Sequence, residues 1–230
     1  MTFSSFAFRP LLLFLLVLLS AAGLSSCKDA DNSESAPHFK FTDAQKVWAA
    51  PYQKPDVWVF RDSTVNERRY QPVNGGFQEI SVGEANSRNI LYYREAFQAL
   101  LQRTDSTFQV GIDPDSKLPK YRFQVLMASS VDPNLRRHDE TFQLGLDWSN
   151  TIFYVPVEQF EAGTALPAGW RLLPQITFFG TTYQNVLEYT APVPTPPARP
   201  TSWDAVRVYY TKARGVIRFE ERGGKTWDRM

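Results

Sequence analysis

The segment 141–157 reads TFQLGLDWSNTIFYVPV, and it decides the fold class more clearly than any other part of the chain. From residue 142 to residue 148 every second residue is apolar, which is the period of a β-strand with one buried face. Ser149-Asn150 allows a tight reversal, and the apolar run that follows predicts a second strand. The segment therefore predicts a β-hairpin.

Similar signals recur along the chain, as alternation or as short aromatic and β-branched runs between turn residues. They predict strands at 56–61, 68–73, 77–82, 121–127, 182–190, 205–211 and 215–220, and a further turn at 221–224 before a last paired segment. Asn74-Gly75-Gly76 predicts a turn between two of these strands. We predict a mainly β fold, with one antiparallel sheet as a sandwich or a curved half-barrel meander and at most one or two short helices.

Residues 90–103 depart from this pattern. Ile90, Tyr93, Phe97 and Leu101 fall close to helical spacing, and the Glu, Ala, Gln and Arg content favours a helix. A less regular alternation also runs through the segment, so a strand is the alternative. We predict a helix here.

Composition excludes several classes of protein. The chain has 25 basic and 24 acidic residues and a net charge of +1, with no basic stripe to neutralise phosphates, so we predict no nucleic-acid partner. Its one cysteine allows no intramolecular disulfide. Its two histidines lie far apart, which excludes the usual zinc spacings. We predict no metal and no cofactor.

The first 26 residues have the three-part layout of a secretory signal. Arg9 precedes an apolar run from Leu11 to Leu19, and small residues follow. As a helix, residues 10–23 would be roughly 21 Å long. A bilayer core is about 30 Å thick, so the segment is short for a permanent span.

Leu24-Ser25-Ser26-Cys27 resembles the lipobox of bacterial lipoproteins. The resemblance implies cleavage before Cys27, lipid attachment to its thiol, and a membrane partner held through acyl chains. Lys28 stands where enterobacterial lipoproteins of the inner membrane carry aspartate, which favours the outer membrane. Lys28-Asp29 with Asp31 also resembles the surface-export signal of Bacteroidota lipoproteins. A periplasmic and a surface-exposed position both remain open.

The predicted organisation is a signal peptide at 1–26, a disordered tether at 27–38 and a single mainly β domain at 39–230. A proline-rich loop at 191–202 lies within this domain, because the residues that follow it are too few for a core of their own. Tyr209-Tyr210 and the Gly223–Trp227 region resemble the C-terminal strands of uncharacterised Bacteroidota lipoproteins. That group implies no activity.

Catalytic motifs are weak in this sequence. No Gly-x-Ser-x-Gly elbow is present, and His138 lies in a charged stretch that is typical of a solvated loop. The segment 113–117 lacks the glycine and the closing glutamate of a calcium loop. The acidic pairs needed by a glycosidase would have to come from Asp147, Glu158, Glu161 or Glu188, for which solvation is the default. We predict that the protein is not an enzyme.

Two serines are candidate modification sites. Asp62-Ser63-Thr64 and Asp105-Ser106-Thr107 resemble the O-glycosylation pattern of exported Bacteroidota proteins. The resemblance implies a sugar on Ser63 and on Ser106.

Three functions are consistent with these observations. The first is a lipid-anchored protein with a non-catalytic binding or scaffolding role. The second is a carrier that encloses an apolar ligand in a β-clam or barrel. The third is a carbohydrate-binding or carbohydrate-active protein that stacks sugars on some of its six tryptophans, although a core role is the simpler interpretation of those residues.

Overall fold

The computed structural model describes residues 36–83, 89–105, 122–128, 143–149, 151–193 and 201–230. Within these ranges twelve strands form one sheet, accompanied by two helical segments. The strands are β1 (His38–Phe39), β2 (Trp58–Arg61), β3 (Glu67–Gly83), β4 (Ile90–Arg103), β5 (Arg122–Ala128), β6 (Gln143–Trp148), β7 (Thr151–Val155), β8 (Trp170–Phe178), β9 (Thr181–Thr190), β10 (Ala205–Thr211), β11 (Gly215–Glu221) and β12 (Thr226–Arg229).

One helical segment precedes the long strands and the other follows β7. The first consists of α1 (Asp43–Lys46), a 3-10 turn (Val47–Ala49) and α2 (Ala50–Gln53), and we call it the plug (43–53). The second is α3 (Val157–Ala162). The predicted fold class, a mainly β curved sheet with short helices, is confirmed.

The strands follow the order β7-β6-β5-β4-β3-β2-β12-β11-β10-β9-β8. Every neighbouring pair along this path is antiparallel. The short strand β1 adds a parallel pairing with Tyr93 and Arg94 of β4, so the sheet is mixed at that one place. β12 pairs with β11 on one side and with β2 on the other, which joins the two halves of the sheet.

The sheet curls until one edge lies against the far half. The N–H of Ala205, at the start of β10, donates to the carbonyl oxygen of Ser149 at 3.0 Å, and the Thr151 hydroxyl donates to the carbonyl oxygen of Ala205 at 2.8 Å. Phe153 of β7 stacks on Tyr189 of β9 with ring centroids 5.2 Å apart. Contacts between β7 and strands so distant in the sheet order require strong curvature, which a right-twisted sheet supplies.

Aromatic side chains fill the concave face of the curled sheet. Trp148 lies at the centre and packs against the rings of Trp58, Phe60, Tyr70 and Phe219, with centroid separations of 5.4–6.5 Å. All five side chains are almost fully buried. Burying large rings supplies much of the apolar driving force for folding, and these tilted arrangements suit ring quadrupoles.

The plug lies against this concave face. Thr42 caps it: the Gln45 N–H donates to the Thr42 hydroxyl at 3.3 Å, and the Thr42 N–H donates to the Gln45 side chain at 2.9 Å. Trp48 and Tyr52 are fully buried, with the Trp48 ring stacked on Tyr210. The short helices are therefore held by tertiary packing, as helices of this length must be.

A second apolar cluster lies on the convex face, and we call it the outer cluster: Phe178, Tyr183, Val186, Tyr209 and Ile217. The backbone of Asn185 has a φ of 51°, which breaks the alternation of β9. Tyr183 and Val186, which are three residues apart, therefore lie in the same outer cluster, and Leu187 packs in the main core.

Several predicted strands are confirmed by the structure. The hairpin of 141–157 is present as β6 and β7, which pair antiparallel with Asp147 opposite Ile152. The predicted strands near 56–61, 121–127, 182–190, 205–211 and 215–220 correspond to β2, β5, β9, β10 and β11. The last predicted segment also pairs, as β12.

The helix predicted at 90–103 is wrong, because these residues form β4. Phe97, Ala99 and Leu101 are fully buried at every second position. β4 pairs with β3 along one side and with β5 along the other, so its backbone groups are satisfied by two ladders. These long-range pairings override a weak local helix propensity.

The turn predicted at Asn74-Gly75-Gly76 is also wrong, because β3 continues through it from Glu67 to Gly83. The ladder with β4 shifts register between Val73 and Gly76, as at a β-bulge. A Cβ at Gly75 would lie 2.6 Å from the carbonyl oxygen of Tyr52 in the plug. Glycine is therefore present for close approach of two backbones rather than for chain reversal.

Four elements were not predicted: β1, the plug, α3 and β8. Ala36 is buried and His38 pairs with Tyr93, so the described fold includes residues that the sequence placed at the end of the tether. The strands on both sides of the proline-rich segment, β9 and β10, pair with each other within the same sheet.

Gly75→Ala should lower the free energy of unfolding by about 1–3 kcal/mol, since an added methyl group would displace the plug from β3. Gly76→Ala is the matched control: nothing lies within 4 Å of a Cβ there, so the change should stay within about 1 kcal/mol. Urea unfolding of the two variants measures the difference. Equal losses would show that the plug does not press on Gly75.

Candidate functional site

The chain enters the sheet at one end of β4. Tyr93 donates its N–H to the carbonyl oxygen of Pro37 at 2.8 Å, and the His38 ring stacks on the Tyr93 ring at 4.4 Å. Cys27 lies outside the described residues, and eight residues separate it from Ala36. Fully extended, the ten steps from Cys27 to Pro37, which contacts Tyr93 of β4, span roughly 33 Å. A lipid on Cys27 would therefore keep this end of β4 within that distance of the anchor.

None of the helices in the described ranges is long and apolar enough to cross a membrane.

Ser63 lies in the turn between β2 and β3, and Asp62 organises that turn. One oxygen of Asp62 accepts from the Thr64 N–H at 2.9 Å, the Thr64 hydroxyl at 2.8 Å and the Asn66 N–H at 2.9 Å. The other oxygen accepts from the Asn66 side chain at 2.9 Å. These hydrogen bonds lower the pKa of Asp62 to about 2, and the bond from the Asn66 side chain has the largest effect.

The two hydroxyls of this turn differ. The Thr64 hydroxyl contacts Asp62 and also accepts from the Asn66 amide at 2.7 Å. Ser63 is exposed, and its hydroxyl makes no hydrogen bond to any described residue. The turn therefore leaves Ser63 accessible while it holds Thr64.

Ser106, His138 and the segment 113–117 lie outside the described residues. The other histidine, His38, lies 3.0 Å from a Glu79 carboxylate oxygen at an exposed position. Within the ranges that the structure describes, no three His, Cys, Asp or Glu side chains come together as a metal site.

Two of the four carboxylates considered for acid–base chemistry, Glu188 and Glu161, contact cationic side chains. Glu188 is almost fully buried, and Arg171 and Arg207 contact its oxygens at 2.7 and 3.2 Å. Glu161 accepts from the Lys212 ammonium at 2.6 Å and from the Trp48 indole N–H at 2.9 Å. These hydrogen bonds lower the pKa of Glu161, and the bond from Lys212 has the largest effect. A carboxylate held in its charged form by such bonds is a poor general acid.

The other two candidate carboxylates, Asp147 and Glu158, differ in their surroundings. Burial raises the pKa of Asp147, which lies on β6 opposite Ile152. Glu158 is exposed on α3. Glu188 lies beside Tyr209 on the convex face, whereas Glu161 contacts a tryptophan of the main core, so these two do not face a common cleft.

Charged side chains run across the convex face from strand to strand. Arg171, Glu188, Arg207 and Glu220 link β8 to β11, and Arg218 of β11 contacts Asp228 of β12 at 2.7 Å. The sequence missed this row, although its members alternate with apolar residues. Only the strand register, which the sequence does not contain, brings them opposite one another.

Most tryptophans belong to the core. Trp48, Trp58, Trp148 and Trp227 are buried, and Trp170 packs against Phe153 and Tyr189. Trp203 is 43% exposed. The described residues therefore present no row of exposed indoles to a sugar chain, in agreement with the core interpretation.

No family model, no curated protein and no solved structure matches this chain.

The pKa of Asp62 predicts how the β2–β3 turn responds to acid. Because the pKa in the folded state is below the ordinary value of about 3.9, the charged carboxylate stabilises the fold above about pH 4, and this contribution is lost as the pH falls toward 2. The free energy of unfolding of wild type minus that of Asp62→Asn should be constant above about pH 5 and shrink below it. A difference that does not vary with pH would contradict the geometry of the turn.

Proposed function

We propose that this chain is a lipid-anchored, non-catalytic protein of the outer membrane, on its periplasmic or surface face, that binds or scaffolds a partner. The observation that carries the proposal is Cys27, which follows a short apolar signal and ends a lipobox-like tetrapeptide. Acyl chains contribute about 0.8 kcal/mol per buried CH₂, so two or three of them form a stable anchor.

The geometry of the N-terminal strand supports an anchored role. β1 is fixed to β4 by two paired residues, by the Tyr93–Pro37 hydrogen bond and by a T-shaped contact between Phe39 and Tyr92. The sheet therefore begins eleven residues after Cys27, the predicted attachment point. This is the arrangement expected when a rigid domain is displayed close to a bilayer.

The packed interior supports binding at the surface rather than transport inside the sheet. The plug and the rings around Trp148 occupy the concave face that a carrier would leave open for an apolar ligand. The pairing of Glu161 and Glu188 with cations likewise weighs against an acid–base pair for sugar cleavage.

An edge strand supplies a surface on which a partner could bind. β7 pairs with β6 along one side, and no described strand pairs with its other side. Ile152 and Tyr154 point away from the core on this strand and are 65% and 59% exposed. The start of β7 lies against β10, where Thr151 contacts Ala205, so the surface offered to a partner is the exposed apolar pair Ile152 and Tyr154.

The anchor is tested by labelling cells with a palmitate analogue. Wild type should incorporate label and fractionate with membranes, and globomycin should cause the precursor to accumulate. Cys27→Ala should incorporate none, because no thiol remains. Ser26→Ala is the matched control, since alanine satisfies the small-residue position and should leave labelling intact. Protease shaving of whole cells then separates surface from periplasmic exposure.

A wild-type chain that is recovered in soluble form with a free thiol would overturn the anchor. Equal labelling of wild type and Cys27→Ala would overturn it as well, because the acyl groups would then be attached elsewhere.

The proposal includes a sugar on Ser63. The exposed position of its hydroxyl in the β2–β3 turn supports this modification. Intact mass of the protein from its native host should exceed the sequence mass by whole sugar units, and Ser63→Ala should remove one set of them. Thr64→Ala is the control at the neighbouring hydroxyl and should retain that set. A native mass without added sugar, or one unchanged by Ser63→Ala, would contradict modification at this residue.

A further inference from the structure

Asp147 lies on the convex face of β6, where no group of the described chain pairs with it. Its neighbours along the strand, Leu146 and Trp148, are buried in the main core, so strand alternation turns the Asp147 side chain to the opposite face. Burial raises the pKa of Asp147, and within the described ranges no hydrogen bond or ion pair joins its carboxylate to another residue. A partly buried carboxylate is normally paired, so this one requires an explanation.

Two exposed side chains of β7 lie beside this carboxylate. Ile152 is directly opposite Asp147 in the β6–β7 ladder, and Tyr154 is opposite Gly145 on the same face. Both side chains are more than half exposed. The four residues form a rectangle in which Asp147 and Tyr154 are diagonal neighbours, about 7 Å apart between Cβ atoms. Because Gly145 has no side chain, one corner of this rectangle, which we call the β6–β7 patch, is open beside the tyrosine ring.

Two buried carboxylates of the sheet show which group such a patch accommodates. Asp228 contacts Arg218 at 2.7 Å, and the same guanidinium lies 3.9 Å from the centroid of the Phe178 ring. Glu221 contacts Arg68 at 2.5 Å, and that guanidinium lies 3.8 Å from the centroid of a tryptophan ring on β12. Each site combines a carboxylate, an aromatic ring and an arginine that is bonded to one and stacked on the other. The β6–β7 patch has a carboxylate and an exposed ring, and no arginine of the described chain contacts them.

We propose that the β6–β7 patch binds an arginine side chain of a protein partner, flanked in that partner by apolar residues. The guanidinium donates to the Asp147 carboxylate and lies on the Tyr154 ring above Gly145, and the flanking apolar side chains cover Ile152. A lysine ammonium fits less well, because it has no plane that can stack on the ring while it donates to the carboxylate. The arginine site rests on the binding role proposed above and gives the chemistry of the partner.

Titration of the full chain in detergent micelles with the peptide acetyl-Ala-Leu-Arg-Leu-Ala-amide, followed by NMR chemical shifts, tests the patch. Wild type should show saturable shifts. The same peptide with citrulline in place of arginine keeps the shape without the charge, and it should bind roughly tenfold more weakly because the charge-assisted hydrogen bond is lost. Asp147→Asn should weaken binding of the arginine peptide by a similar factor and leave the citrulline peptide unchanged. Asp56→Asn, at an exposed aspartate before β2, is the matched control and should bind as wild type does.

Thermal unfolding without peptide separates binding from a structural role. Because Asp147 is partly buried and has no partner in the described chain, Asp147→Asn should leave the melting temperature unchanged or raise it. A clear loss of stability would show that the carboxylate supports the fold, and it would overturn the proposal. Equal binding of the arginine and citrulline peptides, or shifts that do not saturate, would overturn it as well.

Photo-cross-linking in the native host distinguishes the arginine site from the binding role itself. Ile152→p-benzoylphenylalanine should cross-link to a partner protein, and addition of Asp147→Asn should reduce the yield. A cross-link that Asp147→Asn leaves unchanged would overturn the arginine contact while the binding role stands. A cross-link to a second copy of this chain would overturn the assignment to a different protein.

Discussion

The contact between the plug and the concave face of the sheet determines the rest of the structure. Trp48 and Tyr52 fill the space inside a curled sheet, and they do so because two glycines allow the backbones to meet. Gly75 lies under the carbonyl group of Tyr52, and Gly215 lies against its hydroxyl. The hydroxyls of Tyr52 and Tyr210 are 3.3 Å apart in the core, where burial raises the pKa of both. Among the described residues, aromatic side chains therefore fill the concave face of the sheet.

The convex face follows a different rule. There the side chains are long, charged and matched, with Arg218 stacked on Phe178 at 3.9 Å while it contacts Asp228. Guanidinium groups cover the outer cluster and remain charged, which suits a face that meets water.

Sequence patterns predicted the elements whose information is local. The hairpin around Ser149-Asn150 was predicted because both strands alternate and the reversal lies between them. β4 was predicted as a helix because Glu95, Ala96 and Gln98 favour one locally, while the partners that make it a strand lie in β3 and β5. Gly75 was taken for a turn because the approaching backbone of Tyr52 is more than twenty residues away in the chain.

The same limit applies to the site. The sequence identified Ser63 from a short pattern, but the hydrogen bonds that distinguish Ser63 from Thr64 depend on the shape of the turn. Glu188 was expected in solvent, because nothing in its neighbourhood along the chain indicates that Arg171 and Arg207 lie on both sides of it.

The position of β12 has a consequence for how the chain acquires its shape. β12 is the last strand in sequence, yet it lies between β2, which is among the first, and β11. While the ribosome extends the chain, those two strands have no neighbour on their facing sides until residues 226–229 emerge. The two halves of the sheet can therefore join only after residues 226–229 have been synthesised.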